Sequence, residues 1–445
     1  MNDTPVPFSK VDEQIRLLAL SSVGNASIRE IKKLVDNVES ATGIKYIRME
    51  MGIPGLPPSQ IGVDAEIEAL KSGIASIYPN ISGIAPLKHE ISRFLKLYMG
   101  IEVKEESCIP TVGSMQGSFA AFTTVTRIYP EKNTILFLDP GFPVHKQQCK
   151  VQAIPFDSFD VYEYRGEKLR AKLEEKLAKG NIAALLYSNP NNPSWICFTE
   201  KELKIIGELA DRYNVVCMED LAYFGMDFRK DLSKPGEAPY QPSVANYTDK
   251  YILFISSSKA FSYAGQRIGM MAISEKLFSL KAEGLKRFYT SDHFGHSIVY
   301  GTIYALSSGT SHSAQYALLA MLKAANDGSF NFIEPNKEYA RKAKIIKEMF
   351  LKNGFRLVYD KDEDQPLADG FFFTVSFPGF SGTQLVEKLV FYGISAISLS
   401  TTGSQRTEGI RVCVSLVYPE QFMALEYRLK KFHEHHSGGV EEPRN

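Results

Sequence analysis

The chain has 445 residues, 44% of them hydrophobic, with 51 basic residues against 51 acidic ones. That length exceeds one ordinary core, so two units are expected, and a neutral chain without a basic stripe argues against nucleic acid as the main partner. No apolar run approaches the roughly 20 residues that span a bilayer, and the start, MNDTPVPFSKVDEQ, lacks the basic and apolar regions of a signal peptide.

Residues 1–48 read as an arm followed by a helix, IREIKKLVDNV, which Ser27 and Glu30 open as a capping box. MEMGIPGLPP at 49–58 is a rigid, irregular segment. An amphipathic helix follows at 61–73, and the turn-rich YPNISGIAPL leads into a second, LKHEISRFLKLYM, which Gly100 stops. A short strand at 108–112 runs into Gly113, Ser114, Met115, Gln116 and Gly117, with a helix over 119–128. Small residues at a strand-to-helix turn leave backbone N–H groups free at a positive helix end, which suits a phosphate.

Apolar strands then recur at 134–138, 182–187, 215–218 and 251–255, separated by helices such as EKLRAKLEEKLAKG and EKELKIIGELADRY. This alternation predicts a parallel α/β sheet covered on both faces. A further apolar run lies at 268–273, a helix at 275–287, the polar TSDHFGHS at 290–297, and a helical stretch over 314–348. Alternating runs at 371–377, 394–399 and 410–416, with helices at 383–391 and 419–433, predict a smaller α+β unit. The expected division is an N-terminal arm and helix (1–55) packing with the small unit, a large domain (56–325) and a small C-terminal domain (326–445). The tail HEHHSGGVEEPRN reads as a frayed, solvated end rather than a metal site. Five scattered cysteines, Cys108, Cys149, Cys197, Cys217 and Cys413, lack CxxC spacing and read as reduced thiols, pointing to a cytoplasmic setting.

Ligands on a parallel sheet sit beyond the carboxyl ends of its strands. Four such ends release Phe142, Asn192, the Glu219–Asp220–Tyr223 group, and Lys259. Alternation along a strand turns Glu219 away from the face that Asp220 presents. Lys259 follows three serines and precedes Arg267 by eight residues. An amine so placed suits a Schiff base with a carbonyl cofactor, whose phosphate the hydroxyls and guanidinium would hold. Taken alone, the same stretch also fits a solvated lysine beside a hairpin.

The set SNPNNPS at 188–194, EDLAY at 219–223, SSSKAFSYAGQRIG at 256–269 and GIRV at 409–412 resembles the class I/II aminotransferases of fold type I, in the family's order. The resemblance spans about residues 25–435. It implies a large domain with a mostly parallel, doubly covered sheet, a smaller α+β domain, and pyridoxal 5′-phosphate as cofactor. It implies Lys259 as the Schiff-base lysine and proton carrier, and Asp220 as the partner of the pyridine nitrogen. Asn192 and Tyr223 become donors to the ring's phenolate oxygen, and Phe142 stacks on the ring. Gly113, Ser114, Met115, Ser256, Ser258 and Arg267 form the phosphate cup. Tyr78 reaches the phosphate of a neighbouring subunit in a homodimer with shared sites. Arg411 takes the substrate carboxylate, with Asn192 beside it, and Gly52 lies where the chain passes over the substrate. The implied activity is transfer of an amino group from an L-amino acid to a 2-oxo acid, a lyase or decarboxylase on the same fold being the alternative. A non-catalytic regulator would need a further DNA-binding part, which the 48 residues before the core do not supply. No second arginine is assignable to a substrate side chain, since Arg287 and Arg406 fit solvated positions. Three departures stand out: Trp195 where the family has glycine, GIPGL without the family's acidic residues, and the serine-rich SLSTTGSQ before Arg411.

Overall fold

Strands whose every residue is buried need apolar side chains on both faces, and the longest such runs form the centre of a seven-stranded sheet. In the computed structural model, which describes residues 4–437, these strands are Cys108–Thr111 (β1), Thr134–Asp139 (β2), Phe156–Asp160 (β3), Ile182–Ser188 (β4), Val216–Leu221 (β5), Tyr251–Ser256 (β6) and Gly269–Ile273 (β7). Their order is β1-β7-β6-β5-β4-β2-β3, and β7 alone runs against the others. Alternation divides their side chains between two cores. Leu136, Leu185, Cys217, Leu253 and Met270 enter one, and Ile135, Ala184, Met218, Phe254 and Met271 the other.

Helices cover both faces. They include Gln60–Lys71 (α3), Ala85–Met99 (α4), Gly113–Val125 (α5), Pro143–Val151 (α6), Glu167–Leu177 (α7) and Glu200–Tyr213 (α8), while Phe8–Leu17 (α1) and Ile28–Thr42 (α2) pack elsewhere. The capping box of α2 forms as expected: the Glu30 N–H donates to Ser27 Oγ at 3.3 Å and the Ser27 N–H to Glu30 Oε2 at 2.8 Å. Such a cap contributes about 1 kcal/mol. Gly100 ends α4 in the left-handed conformation, also as expected.

A second sheet is antiparallel throughout. It orders Ile397–Ser398 (β10), Ile410–Cys413 (β11), Phe372–Ser376 (β9) and Arg356–Leu357 (β8) side by side. Ile47–Arg48 pairs in parallel with Ile394–Ser395, tying the N-terminal segment to this part of the chain. Val11, Leu34, Val38 and Met49 accordingly share a core with Phe350, Val375, Leu389 and Phe432.

The structure departs from several expectations. The helix α5 starts at Gly113 itself, not at 119, so its first turn faces the site. Strand β3, FDSFD, was not expected; it is an edge strand with three half-exposed residues, which dilutes its apolar signal. The helix expected over 275–287 is two short pieces, Glu275–Phe278 and Glu283–Arg287. Between them the backbone bonds instead to 292–294, through Ala282 N to Asp292 O and Phe294 N to Leu280 O. The stretch 314–348 splits into His312–Asn326 (α9) and Ile333–Lys352 (α10) around Gly328, which has positive φ. The core changes within α10, since Ile333 joins the large sheet's core and Tyr339 the other. Residues 394–399 supply two strands to two different sheets rather than one. After Gly382–Leu389 (α11), the last helix, Phe422–His436 (α12), runs past the point where fraying was expected, with the Tyr392 hydroxyl 2.8 Å from His435 Nδ1. Residues 438–445 of the expected frayed tail lie outside the described residues. All five cysteines are free and buried. Among the described residues no helix is long and apolar enough to cross a membrane, and no cluster of three or more His, Cys, Asp and Glu side chains is placed to hold a metal.

Candidate active site

The sheet's carboxyl edge gathers the expected residues. Adjacent strands β6, β5 and β4 end at Ser256, Leu221 and Ser188, so Lys259, Asp220 and Asn192 emerge side by side. Because β7 runs the other way, its first residue, Gly269, pairs with Ser256 and with Thr111. That register brings Arg267 and the start of α5 to the same edge.

A cavity of about 190 Å³ opens there, lined by Gly52, Ser114, Met115, Phe142, Asn192, Asp220, Tyr223, Ser256, Ser258, Lys259, Arg267 and Arg411, with Ile28 and Ala222 completing the wall. Gly113 lies directly behind: at φ +63, a methyl on it would fall 2.6 Å from the Arg267 guanidinium. Glycine is therefore required both for the turn and for the close approach. Tyr78 is not in this cavity. Its side chain is 91% exposed, on a separate depression formed with Ile77 and Ser307–Ser313.

Electrostatics distinguish the groups. Burial pushes the Lys259 amine down to about 8, aided by Arg267 and Arg411 and opposed by Cys413 and Asp220. Burial pushes the Asp220 carboxyl up to about 7, against the Ala222 N–H and Lys259. Asp220 Oδ1 is buried with no hydrogen-bond partner. Such an orphan calls for a donor from outside the chain. Glu219 faces the other way, as alternation required. It accepts from Ser243 Oγ at 2.5 Å and Asn189 Nδ2 at 3.3 Å, and burial holds its carboxyl up near 7.

Arg411, fully buried on β11, donates to Asn192 Oδ1 at 3.1 Å and to the Glu50 carbonyl. Its Cζ lies 4.5 Å over the Phe372 ring, and its Nε has no partner. Burial lowers its pKa and leaves Tyr223 well above the ordinary tyrosine value, so that hydroxyl stays protonated. Gly52 leaves no room for a side chain: a methyl there would sit 2.9 Å from the Phe372 ring and 3.7 Å from the Tyr223 oxygen. Arg406 stacks on Tyr162 and pairs with Glu163, while Arg287 lies over Phe288; neither lines the cavity.

Sequence reasoning missed four participants. His145 is buried 3.8 Å from Asp220 Oδ2, and burial lowers its pKa to about 4, so it is neutral. Its position three residues after Phe142 at a helix start was a usable signal; the rings meet edge-on at 5.7 Å. Ile28, Ala222 and Phe372 gave none, being ordinary apolar residues whose placement depends on tertiary contacts. Trp195 does not line the cavity but packs behind it, with φ +66. A residue other than glycine in that region costs roughly 1–2 kcal/mol, and the indole is fully buried with its Nε1 unpartnered.

A larger depression of about 580 Å³ lies between Asn189, Arg229 and Asp362. Its principal charges are already matched, Arg229 to Asp227 at 2.8 Å and to Asp362 at 3.0 Å, and none of the expected site residues lines it.

Residues 45–423 match the family described as aminotransferase class I and II, and the chain belongs to that family. It is 24% identical over 252 residues to a probable aspartate aminotransferase of Methanocaldococcus jannaschii, covering 57% of this chain and 61% of that protein. It is 26% identical over 262 residues to an LL-diaminopimelate aminotransferase of Natranaerobius thermophilus, covering 57% and 64%. The matches thus span about three-fifths of these relatives' own length. A single mutant of Thermus thermophilus aspartate aminotransferase superposes with a TM-score of 0.73 at 16% identity, over 91% of this chain and 96% of that one, which establishes the fold. Enzymes of this family use pyridoxal 5′-phosphate. The unpartnered carboxylate oxygen of Asp220, the cradle behind Gly113 and the unpaired Lys259 amine fit that group.

Proposed function

We propose that this chain is an aminotransferase that moves an amino group from an L-amino acid to a 2-oxo acid, with pyridoxal phosphate linked through Lys259. The observation carrying this reading is the single cavity on which Lys259, the orphaned Asp220 oxygen, Arg267 and Arg411 all open. Bound pyridoxal phosphate supplies a carbonyl that condenses with amines and a ring that draws electrons from the substrate Cα.

The chain's residues divide the remaining tasks. Arg267, the Ser256 and Ser258 hydroxyls and the α5 amides at Ser114 and Met115 would hold the phosphate, at a positive helix end. Asp220 would hold a proton on the pyridine nitrogen, and His145, 3.8 Å from its Oδ2 and neutral, brings no positive charge to compete for the carboxylate. Asn192 and Tyr223 would donate to the ring oxygen, and Phe142 would supply an aromatic face for the ring. Arg411 would orient the substrate carboxylate through guanidinium N–H groups left free beside its bond to Asn192, Nε among them. Lys259 carries the proton to and from Cα: with its pKa brought to about 8, a useful fraction of the amine is neutral near pH 7 to 8.

Loaded protein given an amino acid alone is expected to release about one equivalent of the matching 2-oxo acid per site, and to turn over continuously only once an oxo-acid acceptor is added. Sustained ammonia release without an acceptor would instead make it a lyase, and no product from any amino acid would remove the reading.

The reading includes a homodimer with shared sites. Tyr78 at 91% exposure stands beside Ile77 at 58% and shares one depression with Leu70 at 48%, exposed apolar side chains of the kind a second subunit would cover. Y78A and K259A chains, each impaired alone, are expected to recover activity when mixed and refolded together, because the hybrid contains one intact site. No recovery would count against sharing. The five free, buried cysteines support a cytoplasmic setting. The shared core of the N-terminal segment and the second sheet supports an arm and helix (1–55) packing with a small C-terminal domain (326–445), with 56–325 as the large domain.

A further inference from the structure

We propose that Trp195 is a positioning residue for the site: its indole holds Tyr223 and Phe372 together and so sets both the hydroxyl aimed at the cofactor ring and the guanidinium that takes the substrate carboxylate. This rests on the roles read above for Tyr223 and Arg411.

Three rings form a closed triangle. Trp195 meets Tyr223 edge-on at 5.3 Å and Phe372 at 6.1 Å, and Tyr223 meets Phe372 at 5.3 Å. Edge-to-face contacts of this kind restrict ring tilt more than unspecific apolar packing does. The Arg411 guanidinium rests on the outer face of the triangle, 4.5 Å over Phe372. A shift of Trp195 therefore reaches Tyr223 directly and Arg411 through one ring.

The backbone points the same way. The Trp195 N–H donates to the Asn191 carbonyl at 2.9 Å, closing the turn that also carries Asn192. Asn192 Oδ1 accepts from Arg411 Nη1 at 3.1 Å. One turn thus braces Arg411 twice, by a hydrogen bond through Asn192 and by packing through Trp195 and Phe372. Gly370 is matched to the indole, since a methyl there would lie 2.1 Å from it. The left-handed backbone at Trp195 would be relaxed by glycine, so the indole is held in spite of a local cost. It is 1% exposed and outside the cavity, so it acts only through its neighbours.

The test uses the cofactor-loaded protein and the variants W195G, W195L and W195F. W195G suits the backbone; W195L keeps the burial and the backbone conformation without the ring; W195F restores a ring. The readouts are the pH at which the visible band of the bound cofactor titrates, KM and kcat for the best amino donor, and the melting temperature. A displaced Tyr223 hydroxyl stabilises the ring oxygen's anion less, so the proton is retained to higher pH. W195G and W195L are expected to titrate about half a pH unit or more above the wild type, with KM raised about tenfold and with W195F close to the wild type in both. If W195G does not fold, W195L decides. Variants that melt lower but keep the wild-type titration and KM would make the indole a core filler and overturn the proposal. A wild type that shows no visible band with pyridoxal phosphate would overturn the cofactor reading first, and this proposal with it.

Discussion

Replacing Lys259 by alanine is expected to lower the rate of amino-group transfer by about 10³-fold or more, since a positioned acid–base group alone contributes about 10²–10⁴ and the covalent link is lost as well. The loss should fall on chemistry and not on folding. The amine's pKa is lowered from 10.5 to about 8 by burial, so near pH 7 the folded chain holds a charged amine where it is less stable than in water. Alanine removes that cost, and K259A should melt no lower than the wild type at pH 7. Cofactor should still bind, because Arg267, the serine hydroxyls and the α5 amides are untouched. Two measurements check this. Borohydride treatment should fix the cofactor's mass on the Lys259 peptide of the wild type and on no peptide of K259A. Rapid-mixing rates with the best amino donor should show the drop. Wild-type turnover by K259A would remove the lysine from the mechanism.

The centre of the fold was legible because burial on both faces leaves little choice of residue. YILFIS, IAALLYS and VCMEDL are runs that only a covered parallel sheet accommodates, and they lie where the alternation placed them. The site followed, since loops at one sheet edge converge whatever their sequence. Legibility failed where context outweighs pattern. FDSFD pairs with one neighbour only, so half of it meets solvent and its period is weak. Residues 275–287 have a helical pattern, but hydrogen bonds to 292–294 outcompete the helix at Leu280 and Ala282. Residues 394–399 look like one strand, yet pairing breaks at Ala396 and the two halves serve two sheets. Among the residues that line the cavity, the polar ones stood out because their chemistry is unusual beside buried strands, whereas His145, behind Asp220, did not. Ile28, which lines the cavity, and Phe372, which packs under Arg411 behind it, gave no signal, because an apolar residue's identity does not tell where in the core it lies. The position of Tyr78 was read from resemblance alone, and a single chain gives it no site to join.

Changing Asp220 to asparagine separates the carboxylate's role toward the cofactor from its role in the bare chain, and the two have opposite signs. Burial raises this carboxyl from 3.8 to about 7, with the Ala222 N–H and Lys259 opposing. A carboxyl whose folded pKa is raised favours the folded state at pH below 3.8, and that advantage is lost as pH climbs from about 4 to about 7. His145 brings no relief, being neutral down to about pH 4. Glu219 has the same upward shift but is present in both proteins, so it cancels in the comparison. Cofactor-free D220N should therefore exceed the wild type by only about 1 kcal/mol near pH 4.5 and by on the order of 2–4 kcal/mol at pH 8. With pyridoxal phosphate bound the order should reverse. The wild-type carboxylate then faces a protonated ring nitrogen and gains from its charge, while asparagine cannot hold that proton. The stabilisation given by cofactor should grow with pH through about 7 in the wild type and stay flat in D220N. Turnover should fall by about 10³-fold or more in D220N, since a ring without its proton draws electrons from Cα far less well. Melting curves of bare and loaded proteins at pH 4.5 and pH 8, with turnover alongside, decide it. If bare D220N is the less stable protein at pH 8, the unpaired Asp220 oxygen is not the strained group its burial indicates; if loaded D220N turns over like the wild type, Asp220 does not serve the ring nitrogen.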